Sequence, residues 1–190
     1  SVKLLASTYA QLVEGQTKEV QFSFDTNHGT DDYLKIIEGK TASLIKTSAK
    51  LGAMASECKQ ETISSISKWA WHSGIIFQIT DDILDLSSDE KTLGKPSGND
   101  IIEGTYTLPV LIALEKYPEK INKILSDISE NKVGVNEVIN EFNNDEIISE
   151  SKLFLKTHLE KSESAAKEID NKTVRNILLD INTYLIERSN

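Results

Sequence analysis

Apolar residues along this chain recur at intervals of three and four rather than two, a spacing that predicts helices from one end to the other. Leu4, Leu5, Tyr9 and Leu12 form the first stripe, expected to end near Gly15, and the polar run from Gln21 to Gly29 reads as a connector. Thr30 and Asp31 are placed to cap a second helix from about Tyr33 to Ser56, whose apolar face carries Leu34, Ile37, Leu44, Ile45 and Leu51. Gly39 and Gly52 lie inside it. Glycine in a helix interior costs about 1 kcal/mol relative to alanine, so each marks a place where something must approach the backbone closely.

The longest pattern runs from Glu61 to Leu86, with Ile63, Ile66, Trp69, Ile76, Phe77, Ile83 and Leu84 on or near one side. A polar loop from Ser87 to Tyr106 follows, and Thr107 with Pro109 opens another helix to about Glu115. Such a loop is functional territory. Stripes through Ile121, Ile124 and Ile128, then Val135 to Phe142, Ile147 to Ile169 and Val174 to Ile186 complete the expectation of one all-α domain over residues 1–190.

Composition narrows the partners. The net charge is −9, and the arginines are Arg175 and Arg188 alone, isolated near the C-terminus, so no basic stripe exists to neutralise a nucleic-acid backbone. No apolar run approaches a membrane span, and the lone thiol, Cys58, fits a reducing, cytoplasmic setting. His28, His72 and His158 show no metal-ligand spacing, and Gly94-Lys95 lacks the surroundings of a P-loop. Trp69 and Trp71 point to opposite sides of their helix, so only one belongs to the main core.

Against this background Gln78, Asp81, Asp82 and Asp85 stand out. Spacings of three and four gather them on one helix face, about opposite the apolar stripe, in the last turns of the helix. Like charges repel there, and the negative end of the helix dipole opposes anions. A divalent cation removes both objections, and carboxylate oxygens with water are what Mg²⁺ prefers. Asp31 and Asp32, by contrast, begin a helix and need no explanation beyond capping. Lys40 and Thr41 lie in mid-helix at the border of an apolar face, and Lys95 lies in a loop about ten residues beyond Asp85. Cations beside carboxylates suggest an anion bridged by metal, with Asp100 supporting from behind.

The string FQITDDILDLSSDEKTLGKPSGNDIIEGTYTLPVLIALEKYP, Phe77 to Pro118, resembles the second aspartate-rich region of the trans-isoprenyl diphosphate synthases, or polyprenyl synthetases. EGKTASLIKTSAKLGAMAS resembles that family's Lys-Thr helix, and the likeness reaches EGQTKEVQF at Glu14 to Phe22. The general look is that of medium- or long-chain, heptaprenyl-type synthases. The resemblance implies an all-α isoprenoid synthase fold, with antiparallel helices around a central cavity, usually as a homodimer. It implies a prenyltransferase that joins isopentenyl diphosphate to an allylic diphosphate using Mg²⁺.

On the matching positions, Asp81, Asp82 and Asp85 would bind Mg²⁺, with Asp81 most direct. Lys40, Thr41, Gln78 and Lys95 would meet the allylic diphosphate, with Lys40, Asp81 and Lys95 catalytic. Asp100 would be an outer support, Gln16 matches the GQ position, and Glu19 stands where some members carry Asp. The family's first aspartate-rich motif and arginine pair have no counterpart in this sequence. Together with the opening at Ser1, this leads us to expect the C-terminal part of a larger synthase, with the N-terminal helices missing and the isolated chain inactive. The alternatives are a non-catalytic or regulatory subunit and a class I terpene cyclase. The GKPSGND and TLP elements favour an elongating enzyme over a cyclase.

Overall fold

In the computed structural model, which describes residues 1–87 and 97–188, the described chain is all helix and turn. The helices are α1 (Val2–Gln21), α2 (Thr30–Ile37), α3 (Ser43–Ala55), α4 (Gln60–Ser87), α5 (Asn99–Ile102), α6 (Leu108–Lys116), α7 (Pro118–Ser129), α8 (Val135–Val138), α9 (Asp145–Lys167) and α10 (Lys172–Glu187). A π-helical segment, Glu38–Ala42, joins α2 to α3, and a 3₁₀ turn, Ile139–Glu141, follows α8.

The central element is α4, packed between α3 and α9. Ile75, Ile76, Ile79 and Ile83 are fully buried along it and meet α6, of which every residue from Leu108 to Leu114 is buried. That explains why α6 is apolar all round: a helix with no wet side needs no polar stripe. Trp69 sits in a smaller cluster with Ala165, Ile169 and Leu178, its indole nitrogen donating to the Leu178 carbonyl at 3.2 Å, while Trp71 lies under the Lys46 ammonium. Ser73, Ser162 and Asn182 form a buried hydrogen-bonded knot between α4, α9 and α10. Satisfied polar groups of this kind fix how the helices register, because any slip would strand them.

Two expectations about helix ends are corrected. α1 runs through Gly15 to Gln21, because that glycine serves a crossing and not a stop. A Cβ on Gly15 would lie 2.6 Å from the Lys40 amide nitrogen, and one on Gly39 would lie 2.8 Å from the Gln11 carbonyl oxygen. Backbone therefore meets backbone where α1 crosses the π segment. α4 approaches the same segment at Gly74, where a Cβ would come within 2.8 Å of Ala42 Cα. Gly52, in contrast, has open space around it. The second helix begins at Gly29 rather than on a Thr30 or Asp31 side-chain cap; the Gly29 carbonyl accepts from the Asp32 and Tyr33 amides.

The histidines show a contact that sequence spacing does not reveal. His72 on α4 and His158 on α9 meet with their Nδ1 atoms 3.1 Å apart and their rings edge to face. No local pattern pairs residues 86 positions apart. Burial holds His158 down to about 4, with His72 and Lys161 pushing the same way, and burial with Lys161 lowers His72.

Two outcomes follow from this packing. Gly15→Ala should lower stability in urea denaturation by about 1–3 kcal/mol, the usual cost of overpacking. Gly52→Ala should raise it by about 0.4–1 kcal/mol; equal effects would contradict the crossing. As for pH, the unfolded chain takes up protons at the ordinary histidine value of 6.5 while the folded pair resists. The pair's contribution is full above that value and is lost as pH falls towards about 4. The melting-temperature difference between the wild type and His158→Gln should therefore shrink or reverse on going from neutral to mildly acid buffer. A constant difference would contradict it.

Candidate functional site

The crossing that Gly15, Gly39 and Gly74 permit also aims side chains. A π segment inserts an extra residue per turn, and such bulges frequently serve functional sites. Here it sets Lys40 and Thr41 beside α4. The Thr41 hydroxyl donates to Gln78 Oε1 at 2.7 Å, and Gln78 Nε2 donates to Asp82 Oδ1 at 2.9 Å. The Tyr33 hydroxyl donates to Asp82 Oδ2 at 2.5 Å. Lys40 Nζ donates to both oxygens of Glu19, at 2.8 and 2.6 Å, and Gln16 Nε2 donates to Glu19 Oε1 at 3.0 Å. Polar contacts thus reach the acidic end of α4 from α2 and from the π segment, while a second chain ties α1 to Lys40.

Between them lies a cavity of about 190 Å³, lined by Glu19, Lys40, Gln78, Asp82, Asp100 and Glu103 and walled by Phe22, Ile36, Ile37 and Tyr106. Its charged lining is mostly negative. Asp82 is only 3% exposed. Burial pushes its carboxyl up to about 7, Asp100 and Asp81 add to the rise, and the bonds from Tyr33 and Gln78 oppose it. Burial likewise raises Asp100 to about 6, helped by Asp85 and Glu103 and opposed by Lys40. Both groups resist ionisation chiefly because they are buried, and neighbouring acids add to it.

The sequence-predicted residues are therefore only partly on one surface. Asp82 is inside, not on a solvent face opposite the apolar stripe, because α4 is buried on both sides there. Asp81 and Asp85 are half-buried. The Asp85 carbonyl accepts from Ser97 Oγ and from the Gly98 amide, both at 2.9 Å, which ties the following segment back to the end of α4. Lys95 lies outside the described residues. Asp100, in the first turn of α5, lines the cavity as expected.

Three residues went unnoticed in the sequence. Tyr33 stood only at the expected start of the second helix, and no local signal ties it to an acid 49 positions away. His28 stacks on Phe22 with ring centroids 4.7 Å apart and lines the cavity. Arg188 is not isolated: its Nη2 lies 3.0 Å from Asp81 Oδ1, and its guanidinium sits over the Phe77 ring.

The donor set suits a hard divalent ion, since Asp81, Asp82, Asp85 and Asp100 offer only carboxylate oxygen and two of them are held toward neutrality by burial and neighbouring acids. Among the described residues no three acids, histidines or cysteines already converge on one point. Asp81 faces Arg188, and Asp82 faces Tyr33 and Gln78. Mg²⁺ is compatible with such spacing, because it keeps several waters and is commonly held by only one or two carboxylates.

Known proteins share this arrangement's sequence and shape. The family described as polyprenyl synthetase matches residues 1–145. A prenyl transferase of Synechocystis sp. is 41% identical over 117 residues, covering 62% of this chain and 36% of the relative. Heptaprenyl diphosphate synthase component 2 of Bacillus subtilis is 29% identical over 186 residues, covering 98% of this chain and 53% of the relative. The crystal structure of heptaprenyl diphosphate synthase from Staphylococcus aureus superposes with a TM-score of 0.89 at 29% identity, covering 99% of this chain and 59% of that one. The chain thus spans about a third to three fifths of the length of these relatives. With that family matching residues 1–145, well over half of its length, the chain belongs to the polyprenyl synthetase family.

Proposed function

We propose that this chain provides the allylic-diphosphate-gripping part of a Mg²⁺-dependent prenyltransferase, which joins isopentenyl diphosphate to an allylic diphosphate and lengthens a polyprenyl chain. The observation that carries this reading is the cavity where Lys40, Gln78, Asp82 and Asp100 meet under an apolar wall.

The reaction breaks an allylic C–O bond, releases diphosphate, forms a C–C bond to the isopentenyl double bond and sheds a proton. Its hardest step is the separation of charge. Lys40, fixed by the π segment, brings an ammonium that can exchange Glu19 for a phosphate oxygen. Gln78, anchored by Thr41 and Asp82, holds an amide at the same border. Asp81, Asp82 and Asp85 would hold the metal, with Asp100 behind them, and Lys95 would join Lys40 on the anion. A bound Mg²⁺ would neutralise the departing diphosphate. Phe22, Ile36 and Ile37 keep water from the cationic carbon.

The sequence has one DDxxD, at Asp81 to Asp85, so turnover would require a further set of acids and cations that it does not contain. Among the described residues no helix is long and apolar enough to cross a membrane. Exposed apolar residues on α1, Val2, Leu5 and Tyr9, suit burial against further protein, and we favour a homodimer in a cytoplasmic setting.

Calorimetric titration with an unreactive allylic thiolodiphosphate tests this reading. Binding should require Mg²⁺ and weaken about tenfold or more in Asp82→Asn and in Lys40→Met. Asp82→Asn should unfold no lower than the wild type in metal-free buffer, since it removes a desolvated charge while keeping an acceptor for Tyr33. Binding that ignores Mg²⁺, or that survives both substitutions, would leave a helical scaffold without this activity.

A further inference from the structure

The end of α4 holds its two leading acids by different means. Asp82 is buried and clasped by Tyr33 and Gln78. Asp81 is about one-third exposed and meets a guanidinium delivered from the far end of the chain. Arg188 caps the C-terminus of α10, three residues beyond the buried Leu185 that anchors that helix. Two contacts on neighbouring turns of α4 seat it: Asp81 Oδ1 at 3.0 Å and the Phe77 ring, whose centroid is 5.7 Å from Cζ. Phe77 and Asp81 are four residues apart and so share a face.

We propose that Arg188 is a built-in counter-ion that occupies Asp81 when no metal is bound and withdraws when a divalent ion takes that carboxylate, so the C-terminus of α10 sets the metal affinity of the site. This rests on the metal-binding reading of Asp81 above. A cation is favoured here before any ligand arrives, because three acids lie at the negative end of a helix dipole. Arg188 meets that demand through one nitrogen, with its side chain 31% exposed, so the contact is worth little and breaks readily. Its release disturbs no core residue, since only the helix end must move. A guanidinium and a divalent ion on the same carboxylate repel each other, so binding of one subtracts from binding of the other.

The test uses Mn²⁺ alone as the probe, with free ion followed by electron paramagnetic resonance. Arg188→Gln should bind Mn²⁺ about two- to fivefold more tightly than the wild type, the change expected from losing one partly exposed competing ion pair. Arg188→Lys, which restores a cation, should return toward the wild type. In an Asp81→Asn background Arg188→Gln should change nothing. The same Gln variant should melt lower than the wild type in EDTA, with the gap closing as Mn²⁺ is added. If wild type and Gln variant bind Mn²⁺ equally, or the variant binds more weakly, the counter-ion role is overturned while the metal site stands. If neither binds Mn²⁺, the metal site falls and this inference with it.

Discussion

Three backbones come together without intervening side chains where α1 crosses the π segment at Gly15 and Gly39 and α4 reaches it at Gly74 and Ala42. The remainder of the site depends on that contact. A side chain on any of these glycines would push a helix outward and carry Lys40 away from α4. The π segment adds the second constraint, because its extra residue turns Lys40 toward Glu19 and the cavity while Thr41 stays on Gln78. Close approach and irregular winding are both unfavourable locally, and the surrounding isoleucines of α4 and the fully buried α6 hold them in place.

Charge is distributed with similar purpose. Asp82 and Asp100 are raised to about 7 and about 6, first by burial and then by neighbouring acids: Asp100 and Asp81 for the one, Asp85 and Glu103 for the other. A helix evolved only for packing would put leucine or asparagine at such positions. Among the described residues the cations beside them are few: Lys40 is shared with Glu19, and Arg188 meets Asp81. On the proposed reading the site is a socket for cationic charge that arrives with an anionic substrate. The apolar wall of Phe22, Ile36 and Ile37 on the same cavity gives that substrate a dry side.

Much of this was legible because helices announce themselves through period. The long helix α4, the Pro109 start of α6 and the contact of Gln78 with Asp82 one turn on all follow from spacing. Gly39 was readable as a close approach, but its partner Gly15 looked like a helix end, since a glycine gives the same signal for either role. What could not be read are pairings across the chain. Tyr33 with Asp82, His72 with His158 and Arg188 with Asp81 are 49, 86 and 107 positions apart, and no local pattern selects one distant partner over another. The depth of Asp82 was missed for a related reason: a helix face is dry or wet according to its neighbours, and those neighbours are set by the fold.

The most direct test is a crystal structure of the chain grown with Mn²⁺ in place of Mg²⁺ and an unreactive allylic diphosphate analogue, with the ion located by anomalous scattering. The account predicts an ion peak bounded by the carboxylates of Asp81, Asp82 and Asp85 and a phosphate group, with Lys40 turned from Glu19 to that phosphate. Density for the analogue elsewhere, with no ion peak at these acids and Glu19 still holding Lys40, would contradict it.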